Sequence, residues 1–92
     1  MEKRYRVELT ATSQKFIERV ERRDKALYRR LVAALSYLET DPFAGKPLGA
    51  EAKGKHSYRV GSYRVIYSVV RDRLIVYVIA IGHRREVYRK LN

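Results

Sequence analysis

Cysteine is absent from the sequence, which excludes a disulfide framework and any Cys-ligated metal site. Histidine occurs only at His56 and His83, too few to compose a metal site, so no metal or other cofactor is expected. No apolar run comes near the ~18 residues of a membrane span. The opening stretch MEKRYRVELT lacks the apolar core of a signal peptide. A cytoplasmic protein without membrane attachment is therefore expected. Acidic residues are also scarce: 10 Asp and Glu face 21 Lys and Arg, leaving a net charge of +11. A heat-tolerant surface would carry Glu as heavily as Lys and Arg, and that balance is missing. The excess points to a polyanionic partner, nucleic acid or an acidic protein ahead of an anionic membrane. The 92 residues form one domain, 1–92. A domain this small buries only part of its surface.

Proline and glycine are concentrated in one place. Residues 41–54, DPFAGKPLGAEAKG, hold both prolines and three of the five glycines, the composition of a loop. Upstream, YRVELT (5–10) alternates as a strand, with Tyr5, Val7 and Leu9 on one face. Thr12 or Ser13 is placed to cap a following helix in which Phe16, Ile17 and Val20 fall at helical spacing. Asp24 is a second cap. After it Leu27, Leu31, Ala34, Leu35 and Leu38 make one buried stripe, which Asp41-Pro42 stops. So tight a joint makes the helices an antiparallel hairpin. Downstream, HSYRV (56–60) turns at Gly61 into SYRVIYSVV (62–70), and Arg71-Asp72 turns into RLIVYVIAI (73–81). That last run is apolar on both faces and belongs at the centre of a sheet. A short helix follows Glu86. The expected class is α+β in the order β-α-α-β-β-β: a largely antiparallel four-stranded sheet, the N-terminal helical hairpin on one face, and a short C-terminal helix.

Alternate turns of an antiparallel meander lie at the same end, so the turn at Gly61 should sit beside the end of the last strand at Gly82. Arg59, Arg64, Arg84 and Tyr88 then converge from distant parts of the chain. On the third strand Tyr63, Val65, Tyr67 and Val69 form the apolar face, so Arg64 points away from the helices. Guanidinium forks match phosphate oxygens, and a tyrosine can stack on a base or orient a hydroxyl. His83, beside Arg84, is assigned to the same cluster. Arg85 follows, and Lys46, Lys53 and Lys55 are placed to reach toward it as RNA-binding residues. Arg19, Arg22, Arg23, Lys25, Arg29 and Arg30 on the hairpin read as a solvated face.

The stretch YRVGSYRVIYSVVRDRLIVYVIAIGHRREVYRKL resembles the RelE/ParE superfamily of toxin–antitoxin toxins, and its RelE branch in particular. VGSYRVIY and IGHRREVY are its most specific parts. The first strand, the helix pair and DPFAGKPL agree, so the resemblance covers essentially the whole chain. It implies the β-α-α-β-β-β fold and a basic endoribonuclease that cuts mRNA in the ribosomal A site. The implied chemistry is metal-free: the ribose 2′-hydroxyl attacks the adjacent phosphate, leaving a 2′,3′-cyclic phosphate and a 5′-hydroxyl. Arg64, in SYRVIY, matches the arginine that holds the scissile phosphate. Arg84 matches the one that stabilises charge or protonates the leaving group. Tyr88, in REVY, matches the tyrosine that stacks on or orients the substrate. Arg59 falls at a second basic position, often lysine.

One departure concerns the base. The RelE pattern has a further lysine two residues before Arg59, where this chain has Ser57. Arginine stays protonated, so His83, His56 or a lysine is left to accept the proton. The resemblance also implies a cognate antitoxin, RelB-like and acidic, that folds as it wraps the toxin. Ribosome and mRNA are the other implied partners, and DNA is reached only through the antitoxin. The ParE branch shares the fold, so a DNA gyrase inhibitor, or an inactive relative that only binds its antitoxin, stands as the alternative.

Overall fold

The computed structural model describes residues 4–49 and 54–87. Their elements are β1 (Arg6–Leu9), α1 (Ala11–Arg23), α2 (Lys25–Thr40), β2 (Lys46–Pro47), β3 (Lys55–Val60), β4 (Tyr63–Val70), β5 (Ile75–His83) and α3 (Arg84–Val87). They form one sheet in the order β1-β5-β4-β3-β2. β1 runs parallel to β5, and every other neighbour is antiparallel. The α+β class and the helical hairpin are as expected, but the strands number five. The extra one is β2, two residues inside the presumed loop, pairing Lys46 with Ser57 and Pro47 with His56. Proline has no N–H for a ladder and is tolerated at a sheet edge, which is where β2 lies. No described helix is long and apolar enough to cross a membrane.

The helices are held by single side chains at their ends. Thr10, not Thr12 or Ser13, caps α1: its backbone is extended and its hydroxyl accepts from the Ser13 N–H at 3.1 Å. Thr12 and Ser13 already lie inside the first turn. Asp24 serves both helices. Its N–H closes α1 on Val20 O at 2.8 Å, and its carboxylate accepts from the Leu27 N–H at 3.0 Å to open α2. From there Leu27, Leu31, Ala34 and Leu38 are buried, Leu31 and Leu38 completely, with Leu35 packed alongside.

β5 carries an irregularity that alternation alone does not show. Ile66 pairs with Ala80 but Tyr67 pairs with Val78, so Ile79 is an extra residue. Side chains change sides across it. Val76, Val78 and Ile81 all join the helix-side core with Val65 and Tyr67. Ala80 turns to the other face, where it makes a small second core with Ile66, Val87 of α3 and Leu48. Carbonyls at the bulge are met by the start of α1. Val78 O accepts from the Thr10 N–H at 3.1 Å. Ser13 Oγ donates to Val78 O at 3.2 Å, and the Thr10 hydroxyl lies 3.1 Å from Ile79 O. The first turn of α1 is thus fastened to the irregular point of β5.

The segment before β3 is fastened by aromatic rings. The Gly45 N–H donates to the buried Tyr67 hydroxyl at 2.9 Å, an approach that leaves no room for a Cβ on Gly45. His56 stacks on Tyr67 at 5.4 Å, Phe43 meets His56 edge-on at 5.8 Å, and Arg71 lies 4.9 Å over Phe43. Burial holds the His56 imidazole below its ordinary pKa, and its Nδ1 has no hydrogen-bond partner among the described residues.

Two outcomes follow from these attachments. Thr10→Ala removes a helix cap and a bond to the bulge together, and should cost about 1–2 kcal/mol in urea unfolding. His56 is neutral in the folded chain and binds a proton more readily when unfolded. Stability linked to it is complete above about pH 6.5 and declines as the pH falls below that value. The melting temperature should therefore drop on acidification from pH ~7.5 to ~5.5, and His56→Phe should flatten that drop.

Candidate RNA-contact site

Register assembles the Arg64 face in rows that cross the sheet. At the end of the molecule Arg59 on β3 pairs with Arg64 on β4, which pairs with Gly82 on β5. One step inward come Lys46, Ser57, Ile66 and Ala80. The next row holds Lys55, Ser68, Tyr77 and, across the parallel pair, Glu8. Paired residues share a face, so all of these lie opposite the helices. Two arginines stand directly opposed in the end row, at the ordinary Cα spacing of about 5 Å. Gly82 adds no side chain beside them.

The turn that brings the arginines together is set by one residue. Gly61 has φ +59 and Ser62 has a negative φ, the pattern of a type II′ hairpin turn, in which glycine takes the first central position. The carbonyl of Ser62 accepts from the Arg84 N–H at 2.9 Å. That bond ties the start of α3 to the β3–β4 turn. Val87, completely buried, ties the other end of α3 to the Ile66–Ala80 core. Arg84 and Arg85, both exposed, are thereby held at the same end of the sheet as Arg59 and Arg64. The ion pairs among the described residues, Arg4–Glu39 and Arg6–Glu8, involve none of these four arginines.

His83 does not join the Arg64 row, although its Nδ1 accepts from the Arg85 N–H at 3.4 Å. It pairs with Tyr63, its ring edge-on to that tyrosine at 5.7 Å, and Tyr63 in turn packs against Phe16 of α1. The bulge at Ile79 is the reason. Unbroken alternation from Tyr77 would put His83 on the Arg64 face; the extra residue puts Gly82 there and sends His83 to the helix side. His56 is likewise on the helix side, against Tyr67. Lys46 lies directly across from Ser57, where the resemblance leads one to look for a lysine. Lys55 is four residues from Arg59 along β3, roughly 13 Å of extended chain, whereas the row of Lys46 is two residues away, roughly 7 Å. Lys53 and Tyr88 lie outside the described residues.

Arg30 is the residue whose position the sequence conceals. It is exposed on α2, yet its guanidinium reaches over Gly61, with Nη2 3.0 Å from where a Cβ would project. No local motif marks it. The contact exists only because the helical hairpin crosses the sheet with its tip toward this same end, as the Phe16–Tyr63 contact also shows.

A RelE-like α+β fold with a basic sheet end is the class that these features define. The family description "ParE toxin of type II toxin–antitoxin system, parDE" matches residues 7–88, and the chain belongs to that family. It is a toxin of the RelE/ParE superfamily. Toxin RelG of Mycobacterium tuberculosis is 30% identical over 94% of this chain and 98% of its own. Toxin RelE of the same organism is 33% identical over 92% of this chain and 87% of its own. Among solved structures, the RelBE2 toxin–antitoxin complex of Mycobacterium tuberculosis superposes with a TM-score of 0.75. It is 28% identical, covering 88% of this chain and 92% of that one.

Like charges directly opposed across a strand pair are destabilising. Arg64→Gln should therefore raise unfolding stability by about 0.5 kcal/mol at low salt. The gain should shrink as the ionic strength approaches about 0.5 M, where screening removes the repulsion. Urea titrations at the two salt concentrations measure it.

Proposed function

We propose that this toxin is a ribosome-dependent mRNA endoribonuclease of the RelE type, cutting in the A site and so blocking translation. The observation that carries the reading is the opposed Arg59–Arg64 pair with Arg84 tethered beside it, three guanidinium forks at one rigid sheet end without a carboxylate partner among the described residues. Such a site suits a dianionic phosphorane. In the proposed reaction the 2′-oxygen forms a bond to phosphorus as the P–O5′ bond breaks. The products are a 2′,3′-cyclic phosphate and a 5′-hydroxyl. Arg64 holds the non-bridging oxygens, with Arg59 beside it. Arg84 faces the departing oxygen and the charge that grows there. Tyr88, next in the chain after the buried Val87, would stack on or orient the nucleotide. Arg85, Lys53 and Lys55 would contact the RNA backbone.

The proton acceptor is the open position. His56 stacks on Tyr67 on the helix side, and His83 faces Tyr63 with its Nδ1 already accepting from the Arg85 N–H, so neither ring is aimed at the Arg64 row. Lys46 is the amine that register brings nearest, opposite Ser57 and one row from Arg59. A site weak in acid–base groups gains most from a partner that aligns the 2′-oxygen with phosphorus, and the ribosome fills that role in this reading. The toxin would act in the cytoplasm and be held inactive by an acidic RelB-like antitoxin that folds on its surface. The RelBE2 neighbour, itself a toxin–antitoxin complex, supports that partner. Operator DNA would be reached only through the antitoxin. The ParE family match supports a second reading, inhibition of DNA gyrase without RNA cleavage.

Purified toxin, ribosomes and a programmed mRNA, followed by primer extension, separate the two. The expected result is discrete A-site cuts that require ribosomes. Arg64→Ala and Arg84→Ala, each folded by circular dichroism, should slow cutting by about 100-fold or more. An uncut message together with inhibited gyrase supercoiling would establish the second reading.

A further inference from the structure

Behind the Gly61 turn, on the side away from Arg64, a groove of about 310 Å³ runs between α2 and β3. Arg30, Ala33, Ala34 and Tyr37 line it from α2, and Tyr58, Arg59, Val60 and Gly61 line it from β3. Both arginines are referenced to the same glycine. Arg30 lies over Gly61, and Arg59 Nε donates to the Gly61 carbonyl at 3.2 Å, an orientation that leaves its two terminal nitrogens to other partners. No carboxylate among the described residues lines the groove. Further along, Tyr37 and Tyr58 stand 6.1 Å apart with their rings tilted by 37°. Tyr37 is 47% exposed and anchored by its hydroxyl, which donates to Asp41 at 3.2 Å. Two guanidinium groups converging on one residue repel unless an anion lies between them.

We propose that this groove is a nucleotide subsite, which takes a phosphate of single-stranded RNA between Arg30 and Arg59 and the adjoining base against Tyr37 and Tyr58. Aromatic faces beside a cationic track are how single strands are held without sequence preference. Two guanidinium groups beside two tyrosine rings favour a phosphate and its base over a protein segment. The volume falls at the low end of small-ligand pockets, about 300–1,000 Å³. Arg59 joins the subsite to the Arg64 row, because it is the cross-strand partner of Arg64 and also lines the groove. A strand bound at Arg64 would therefore continue over the turn to Arg30. The inference rests on the RNA-directed reading above for its polyanion, but needs no cleavage.

The test uses the purified full chain and a short fluorescent oligoribonucleotide whose 2′-oxygens are methylated, so that binding is measured where cutting is impossible. By fluorescence anisotropy, Arg30→Gln should weaken binding about fivefold to tenfold and lower the salt dependence by about one counterion. Tyr37→Ala should weaken it by about fivefold or more. Arg29→Gln removes an equal, exposed charge one residue away and should change affinity by less than twofold. If Arg29→Gln and Arg30→Gln weaken binding equally, the effect is general charge and the subsite is refuted. If Arg30→Gln leaves RNA affinity unchanged but weakens capture of an acidic peptide, the groove serves a protein partner and the proposal is likewise overturned. Failure of ribosome-dependent cutting bears on the nuclease reading alone, since the methylated strand reports the groove regardless.

Discussion

β5 is buried along most of both faces, Tyr77 excepted, and a strand in that position admits little slack in register. Everything that distinguishes the two faces of this sheet depends on the one extra residue within it. Upstream of Ile79, the even-numbered Val76 and Val78 point toward the helices. Downstream, the odd-numbered Ile81 does. The change of parity fills the helix-side core and leaves Gly82, with no side chain, beside Arg64. A bulge frees backbone groups that a buried strand cannot leave unpaired. The Thr10 hydroxyl that starts α1 meets the Ile79 carbonyl there, and Ser13 adds a second bond to Val78 O, which also accepts from the Thr10 N–H. Core packing, helix placement and the composition of the basic end are thus consequences of one local defect and its repair.

The fold was legible where periodicity is long and the boundary chemistry unambiguous. The Leu27–Leu38 stripe, the Asp24 cap and the stop at Asp41 could all be read from spacing and residue type, as could the apolar last strand, which lies inside the sheet although β4 is its middle strand. β2 was hidden because its signature is a lysine and a proline in a stretch dense with turn formers; only the neighbouring strand makes it a strand. The cap of α1 was misread by two or three residues. Three consecutive hydroxyl-bearing or small positions follow Thr10, and the choice among them is made by the bulge carbonyls 65 or more residues away.

The basic end shows the same division. Gathering Arg59, Arg64 and Arg84 needed only the rule that alternate hairpin turns share an end, and the register bears out that proximity. Placing His83 needed knowledge of the bulge, which has no glycine or proline to announce it. Placing Lys46 opposite Ser57 needed β2. Arg30 needed the crossing of the helical hairpin over the sheet, a property of packing with no local motif. Contacts set by one strand and its turn are readable; contacts set by how layers stack are not.

Asp24 closes one helix and opens the next with no residue between. Such a joint fixes phase as well as direction. Each residue of an α-helix advances the azimuth by about 100°. A single insertion at the joint would rotate α2 as a rod, carrying Leu27, Leu31 and Leu38 off the sheet and swinging Arg30 away from Gly61. A deletion would rotate it as far the other way. The number of residues in this hairpin is therefore constrained as tightly as their identity.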